Sequence, residues 1–134
     1  MARSKREKLT GRKNTGTFIA LPKDIINSPK FRALSGNAVK LLIQLFEQFN
    51  GKNNGDLSAS FNVLKEKGWA SKSTLANCIK QLIEKGFIIK TRQGRYPDIT
   101  SLYAVTWLEV NADIYGKYDA AAKHYIGKTI GSWR

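Results

Sequence analysis

Between Ser71 and Lys85, side chains able to donate and accept hydrogen bonds lie opposite an apolar stripe. At about 100° per residue, Leu75, Cys78, Ile79, Leu82 and Ile83 share one face of a helix. Ser71 caps its start and Gly86 stands just past its end. The other face carries Ser73, Asn77, Lys80 and Glu84, flanked by Thr74 and Gln81. Lys72 and Ser73 occupy the first turn, where free backbone N–H groups can meet a phosphate. The Asn77 amide can pair bidentately with an adenine edge, and Lys80 can reach a phosphate or a guanine. The N-terminal half of this face has no acid, and Glu84 sits at its far end. Many amphipathic helices are polar on one side for hydration alone, so the neighbouring elements decide how this face is read.

The next such cluster is a basic turn. Lys90, Arg92 and Arg95 lie in or beside the loop 93–100, with Gln93 and Tyr96 between them and Asp98 as its only acid. Gly94 and Pro97 mark the loop. Phe87-Ile88-Ile89 opens a strand before it, and residues 102–107 (LYAVTW) read as the returning strand. A hairpin tip with two arginines can lie along a phosphate chain or enter a minor groove. Tyr96 can stack or cover the hairpin, whereas Trp69, Tyr103 and Trp107 are expected to fill the core.

The elements that must hold these groups follow from periodicity. Thr17–Leu21 is a β-prone run ending at Pro22, which suits the first position of a short helix, and a second turn surrounds Ser28–Phe31. Ser35 caps a helix expected to reach Asn50. Its apolar stripe is Ala38, Leu41, Leu42, Leu45, Phe46 and Phe49. Asn53-Asn54-Gly55-Asp56 is a turn signal and Leu57–Ala59 a brief strand. Phe61, Val63 and Leu64 suggest a short helix ending at Gly68. The resulting order is helix, small strand, helix, turn, helix, strand, loop, strand. It predicts an α+β chain of the winged helix-turn-helix kind spanning 17–110. A basic flexible arm (1–16) precedes it, and a C-terminal extension (111–134) follows, with one more helix around 116–125.

The charge balance agrees with a polyanionic partner. The 134 residues hold 23 Lys and Arg against 10 Asp and Glu, a net +13. Residues 1–16 carry six basic groups (Arg3, Lys5, Arg6, Lys8, Arg12 and Lys13) and one acid, which suits an arm following phosphates. Residues 17–107 carry thirteen basic and six acidic groups, so the body stays at +7 without the arm. Cys78 is the only cysteine, which excludes an internal disulfide, and no Cys/His set for zinc is present. No apolar run approaches the ~20 residues of a membrane span, and the charged N-terminus does not read as a signal peptide. These features lead us to expect a cytoplasmic protein with no membrane partner and no cofactor. The Gly-Lys pairs do not complete a phosphate-binding loop, His124 has no neighbouring nucleophile, and no paired carboxylates share a face. An enzyme is therefore not expected.

Several segments add a resemblance. They are Phe18–Pro22, Leu34-Ser35, Asn50–Leu57, Gly68-Trp69, Gly86–Ile88, Thr91–Gly94 and Ser101–Trp107. In order and spacing, over about residues 16–110, they resemble a group of small helix-turn-helix proteins of proteobacterial prophages, plasmids and integrative elements. The resemblance implies a winged-helix fold and residence on a mobile element, and it supplies no functional residues. The expected function is double-stranded DNA binding as a transcriptional regulator, with helix 71–85 in the major groove and the hairpin 90–101 on the backbone or minor groove. A replication or partition accessory binding origin repeats is an alternative. A protein-interaction adaptor or inhibitor of a host factor is one of another class. Residues 111–134 could supply a homodimer contact.

Overall fold

Local capping sets the helices. In the computed structural model, which describes residues 17–134, α1 (Lys23–Ile26) and α2 (Pro29–Arg32) are single turns. The Ser28 hydroxyl accepts from the Phe31 N–H at 3.2 Å, and Pro29 opens α2 with its φ already set. In α3 (Gly36–Phe46) the Ser35 hydroxyl accepts from Ala38 N–H at 3.1 Å. The α3 stripe is buried as expected, except that Phe49 lies beyond the helix and is half-buried, its ring stacked on Phe46 at 5.5 Å. The helix stops at Phe46 rather than Asn50. Where a further turn would run, the Gln48 amide pairs with the backbone of Ser58, donating at 2.7 Å and accepting at 2.8 Å.

After α4 (Phe61–Leu64) and a 3-10 turn, Gly68 reverses the chain into α5 (Lys72–Glu84). The Ser71 hydroxyl accepts from Thr74 N–H, and the C-terminus closes with Phe87 N–H on Leu82 O and Gly86 N–H on Ile83 O. That pattern requires a left-handed residue, and Gly86 supplies it with φ +82°. Leu75, Cys78 and Leu82 are buried, but Ile83, expected in the stripe, is 39% exposed. Ile83 lies at the edge of the stripe, beside a cleft that the sheet leaves open.

The sheet is antiparallel, with β3 (Leu102–Val105) between β1 (Leu57–Ser58) and β2 (Ile88–Arg92). Leu57 pairs with Tyr103 and Ile89 with Ala104. A bulge between Lys90 and Arg92 leaves Thr91 out of register. Its buried hydroxyl donates to Gly55 O. Every β3 residue is buried, because both faces of the sheet are covered. One face joins the main core of α3, α5, Phe87, Tyr103 and Val105. The other, through Ala104, meets Val110, Tyr118 and Ala122. The strand expected to reach Trp107 ends at Val105, and Trp107 packs edge-on against Phe46 at 5.1 Å. Trp69 and Tyr103 are buried as expected.

Thr17–Leu21 forms no strand. Ile19 and Leu21 pack against the core without forming a regular element. Their period-2 spacing reports one-sided burial, which an unpaired extended segment also satisfies. The helix expected around 116–125 is a 3-10 helix over Ala120–Tyr125. The Asp113 carboxylate accepts from the N–H groups of Lys117 and Tyr118, which keeps the preceding residues in a turn. Residues 111–134 pack into the same body. Val110 and Ile126 form a parallel bridge, and Trp133 belongs to the main core. Its neighbour Ser132 lies where a Cβ on Gly86 would stand.

Asn54 ties these parts together. Its side chain, fully buried, accepts from Val105 N–H at 2.8 Å and donates to Val105 O at 3.0 Å and Glu109 O at 2.9 Å. The Asn54 carbonyl accepts from Asn111 N–H at 2.8 Å and from the Tyr118 hydroxyl.

Candidate nucleic-acid interface

Helix α5 presents its polar face to solvent. Lys72, Ser73, Asn77 and Lys80 are exposed and Thr74 is half-buried. Thr74 contributes its N–H to the Ser71 cap, and the hydroxyls of Ser71 and Ser73 are 3.0 Å apart. Lys72 Nζ lies 5.6 Å from the Phe61 ring centroid, which carries it over α4. Asn77 makes no side-chain hydrogen bond within the hydrogen bonds of the described residues, so its amide is available as donor and acceptor. Lys80 faces Glu84 at 3.9 Å, with both side chains largely exposed. An i,i+4 pair of that kind is worth about 0.3–0.5 kcal/mol, so Lys80 is only weakly held. Gln81, on the flank of the face, is committed elsewhere: its carbonyl oxygen accepts from Ser35 N–H at 2.7 Å and joins α5 to the start of α3.

The hairpin between β2 and β3 is built in two tiers. At its base Gly94 N–H donates to the Ser101 hydroxyl at 2.8 Å, and a Cβ on Gly94 would press on that residue. At its tip Arg95 and Ile99 exchange both backbone hydrogen bonds, at 2.7 and 2.9 Å. Part of the loop expected over 93–100 is therefore paired. The expected basic residues divide between the tiers. The half-buried Arg92 bends back, its Nε donating to Thr100 O at 2.9 Å and its terminal nitrogen to the Thr100 hydroxyl. Lys90 donates to the Gln93 side chain at 3.0 Å. Arg95 and Tyr96 point outward, and Tyr96 is 99% exposed. Arg92 is thus a clasp of the hairpin, and Arg95 is the tip's outward cation.

Helix and hairpin meet across a cleft of about 520 Å³. Ala76, Ile79, Lys80, Ile83 and Glu84 line one side, and Lys90 and Tyr103 the other. Lys80 of the helix face and Lys90 of the hairpin thereby share one surface. Burial pushes the Tyr103 hydroxyl above its ordinary value, with a hydrogen bond to Ser101 opposing, so it stays protonated on the cleft floor. Burial likewise raises the Cys78 thiol, which is inert as a nucleophile there.

Two sets of residues beside these elements escaped the sequence reading. Asn37 and Lys40 of α3 line a smaller cleft with Gly68, Ser71 and Thr74, at the N-terminal end of α5. Lys40 Nζ stands 5.4 Å from the Trp69 ring. The available signal was that Lys40 is the sole charged residue in Gly36–Phe46. The second is Asp119, whose carboxylate accepts from Gln93 N–H at 2.8 Å. No local pattern marks it. The arm residues Arg3, Lys5, Arg6, Lys8, Arg12 and Lys13 lie outside the described residues. Among the described residues no group of three His, Cys, Asp or Glu side chains could hold a metal ion, and no helix is long and apolar enough to cross a membrane. No protein-family model, curated protein or solved structure matches the chain.

Proposed function

We propose that the chain is a double-stranded DNA-binding protein of the winged helix-turn-helix kind, acting as a transcriptional regulator of a mobile element. In this reading α4, the turn at Gly68 and α5 are the helix-turn-helix, α5 enters the major groove, and the β2–β3 hairpin is the wing. The observation that carries it is the surface on which Lys80 and Lys90 face one cleft, with Glu84 beside Lys80 and an acid-free first turn on the same helix. A body that stays at +7 without its arm supports a polyanionic partner. Asn77 is the base-reading residue, Lys72, Ser73, Thr74, Lys80, Lys90 and Arg95 hold phosphates, and Tyr96 rests on the backbone or in the minor groove. Regulation and residence on a mobile element follow from the resemblance of residues 16–110 to such proteins. The same surface would serve a replication accessory.

Selection of bound duplexes from a randomised pool tests the reading. A defined motif that Asn77→Ala weakens more than random DNA is the expected result. Enrichment of no duplex sequence, with Asn77→Ala indistinguishable from the parent, would refute it. Promoter overlap of the selected motif supports a regulator, and iterated repeats near an origin support the replication accessory.

One observation favours a second reading, a protein-interaction module. Ile114 and Tyr115 are adjacent, apolar, and 70% and 76% exposed. In that reading the polar face of α5 is incidental, and duplex binding is absent at low salt.

A further inference from the structure

Residues 111–134 include a group whose geometry is unusual for its position. Asp119 precedes the 3-10 helix Ala120–Tyr125 at its N-cap, with extended backbone angles (φ −64°, ψ 152°). An Asp there ordinarily accepts an N–H of its own helix. The Asp119 side chain does not. Its carboxylate turns to the hairpin and accepts from Gln93 N–H at 2.8 Å, while its own N–H donates to Thr91 O at 2.8 Å. One residue thus spans the outer edge of β2 at the bulge, where the ladder to β3 is out of register. The other hydrogen bonds of the hairpin residues 93–101, among the described residues, stay within the hairpin itself.

We propose that Asp119 is the positioning residue of the wing, a brace from the C-terminal segment that sets the direction in which Arg95 and Tyr96 are presented to DNA. The proposal rests on the DNA-binding reading above. Its physical basis is preorganisation. A two-stranded tip held only by its own bonds pivots at its base, and that freedom is lost on binding. Fixing Gln93 N–H, the first peptide beyond β2, removes the pivot before the ligand arrives. A carboxylate beside a phosphate-facing hairpin also repels the ligand, so geometry and charge act in opposite directions. Substitution can separate them. Asn at 119 keeps an oxygen acceptor for Gln93 N–H and loses the charge, and Ala loses both.

The test uses the full chain with Asp119→Asn and Asp119→Ala. Amide exchange over 93–101 is measured without DNA, and affinity is measured for a random-sequence duplex at low salt. With Asp119→Ala, exchange at Gln93 and Gly94 should accelerate about tenfold, the effect of one lost hydrogen bond of about 1.4 kcal/mol. Duplex affinity should fall about fivefold, and Arg95→Ala should cost less in that background than in the parent. Asp119→Asn should leave exchange unchanged and affinity equal or tighter. Unchanged exchange with Asp119→Ala overturns the brace. So does faster exchange with unchanged affinity, or an Asp119→Asn variant as impaired as Asp119→Ala. Should Asp119→Ala not fold, Asp119→Ser replaces it, its shorter side chain falling short of Gln93 N–H. A parent chain that binds no duplex refutes the DNA-binding reading instead, and the exchange measurement then judges the brace alone.

Discussion

Replacing Asn54 by Ala should destabilise the protein more than any other single polar truncation in the sheet. Its side-chain amide acts as the next peptide of β1. Leu57 pairs with Tyr103 on β3, and two residues further on it is the Asn54 side chain that takes Val105 N–H and returns a donor to Val105 O. Asn54 and Val105 are both fully buried, so water cannot replace the amide at either Val105 group. Each stranded group costs about 1–3 kcal/mol. The carbonyls of Leu108 and Glu109 belong to residues nearer solvent and can be rehydrated. The expected loss is therefore about 3–4 kcal/mol, a large share of the ~5–15 kcal/mol typical of a domain. Asn54→Asp should cost at least as much, since it replaces two donors with an acceptor facing three carbonyls. Urea unfolding followed by circular dichroism reads the change, with the slope m held constant to confirm that stability alone has moved. A loss below about 1 kcal/mol for Ala, or an Asp variant as stable as the parent, would refute the strand-substitute role.

Gly86→Ala should lower stability by more than about 2 kcal/mol in thermal unfolding, because φ is +82° and the new Cβ meets the backbone of Ser132. Trp133→Ala should cost about 3 kcal/mol by the same measurement, since the indole belongs to the main core. Arg95→Ala should reduce the salt slope of duplex binding by about one with no change in melting temperature, whereas Arg92→Ala should loosen the hairpin by freeing Thr100. The Tyr118 hydroxyl is pushed up to about 12, first by burial and then by Asp113 and Asp56. Its folded value lies above the unfolded value of 10, so its contribution is whole below pH 10 and lost as pH rises toward 12. The parent should lose stability over that window more steeply than Tyr118→Phe in pH-dependent thermal melts.

Where the sequence was legible, a local signal sufficed. Ser35 and Ser71 cap the helices they were expected to cap, and the stripes of α3 and α5 face the core. Both signals depend on residues three or four apart. Gly86 ends α5 for a reason stated in its own neighbourhood. What local signals left unspecified shares another origin. Asn54 stands in a run of turn-forming residues and is fully buried, because its partners lie 51 to 55 residues away. Arg92 stands beside the basic loop, and its bonds to Thr100, eight residues on, are not specified by that position. Thr17–Leu21 has the spacing of a strand, but pairing depends on an adjacent edge that the spacing does not specify. Asp119 reaches Gln93 across 26 residues and carries no pattern at all. Of the candidate site, the face of α5 was readable from periodicity. The division of the hairpin into clasp and tip, and its brace, depend on tertiary hydrogen bonds.

The most direct measurement is the affinity of the full chain for a duplex as salt is varied. If the cations of α5 and the hairpin, Lys72, Lys80, Lys90 and Arg95, each engage one phosphate, log K should fall against log[salt] with a slope of about −3.6. A flat slope, or no duplex binding near micromolar concentration at low salt, would contradict a DNA interface on this surface.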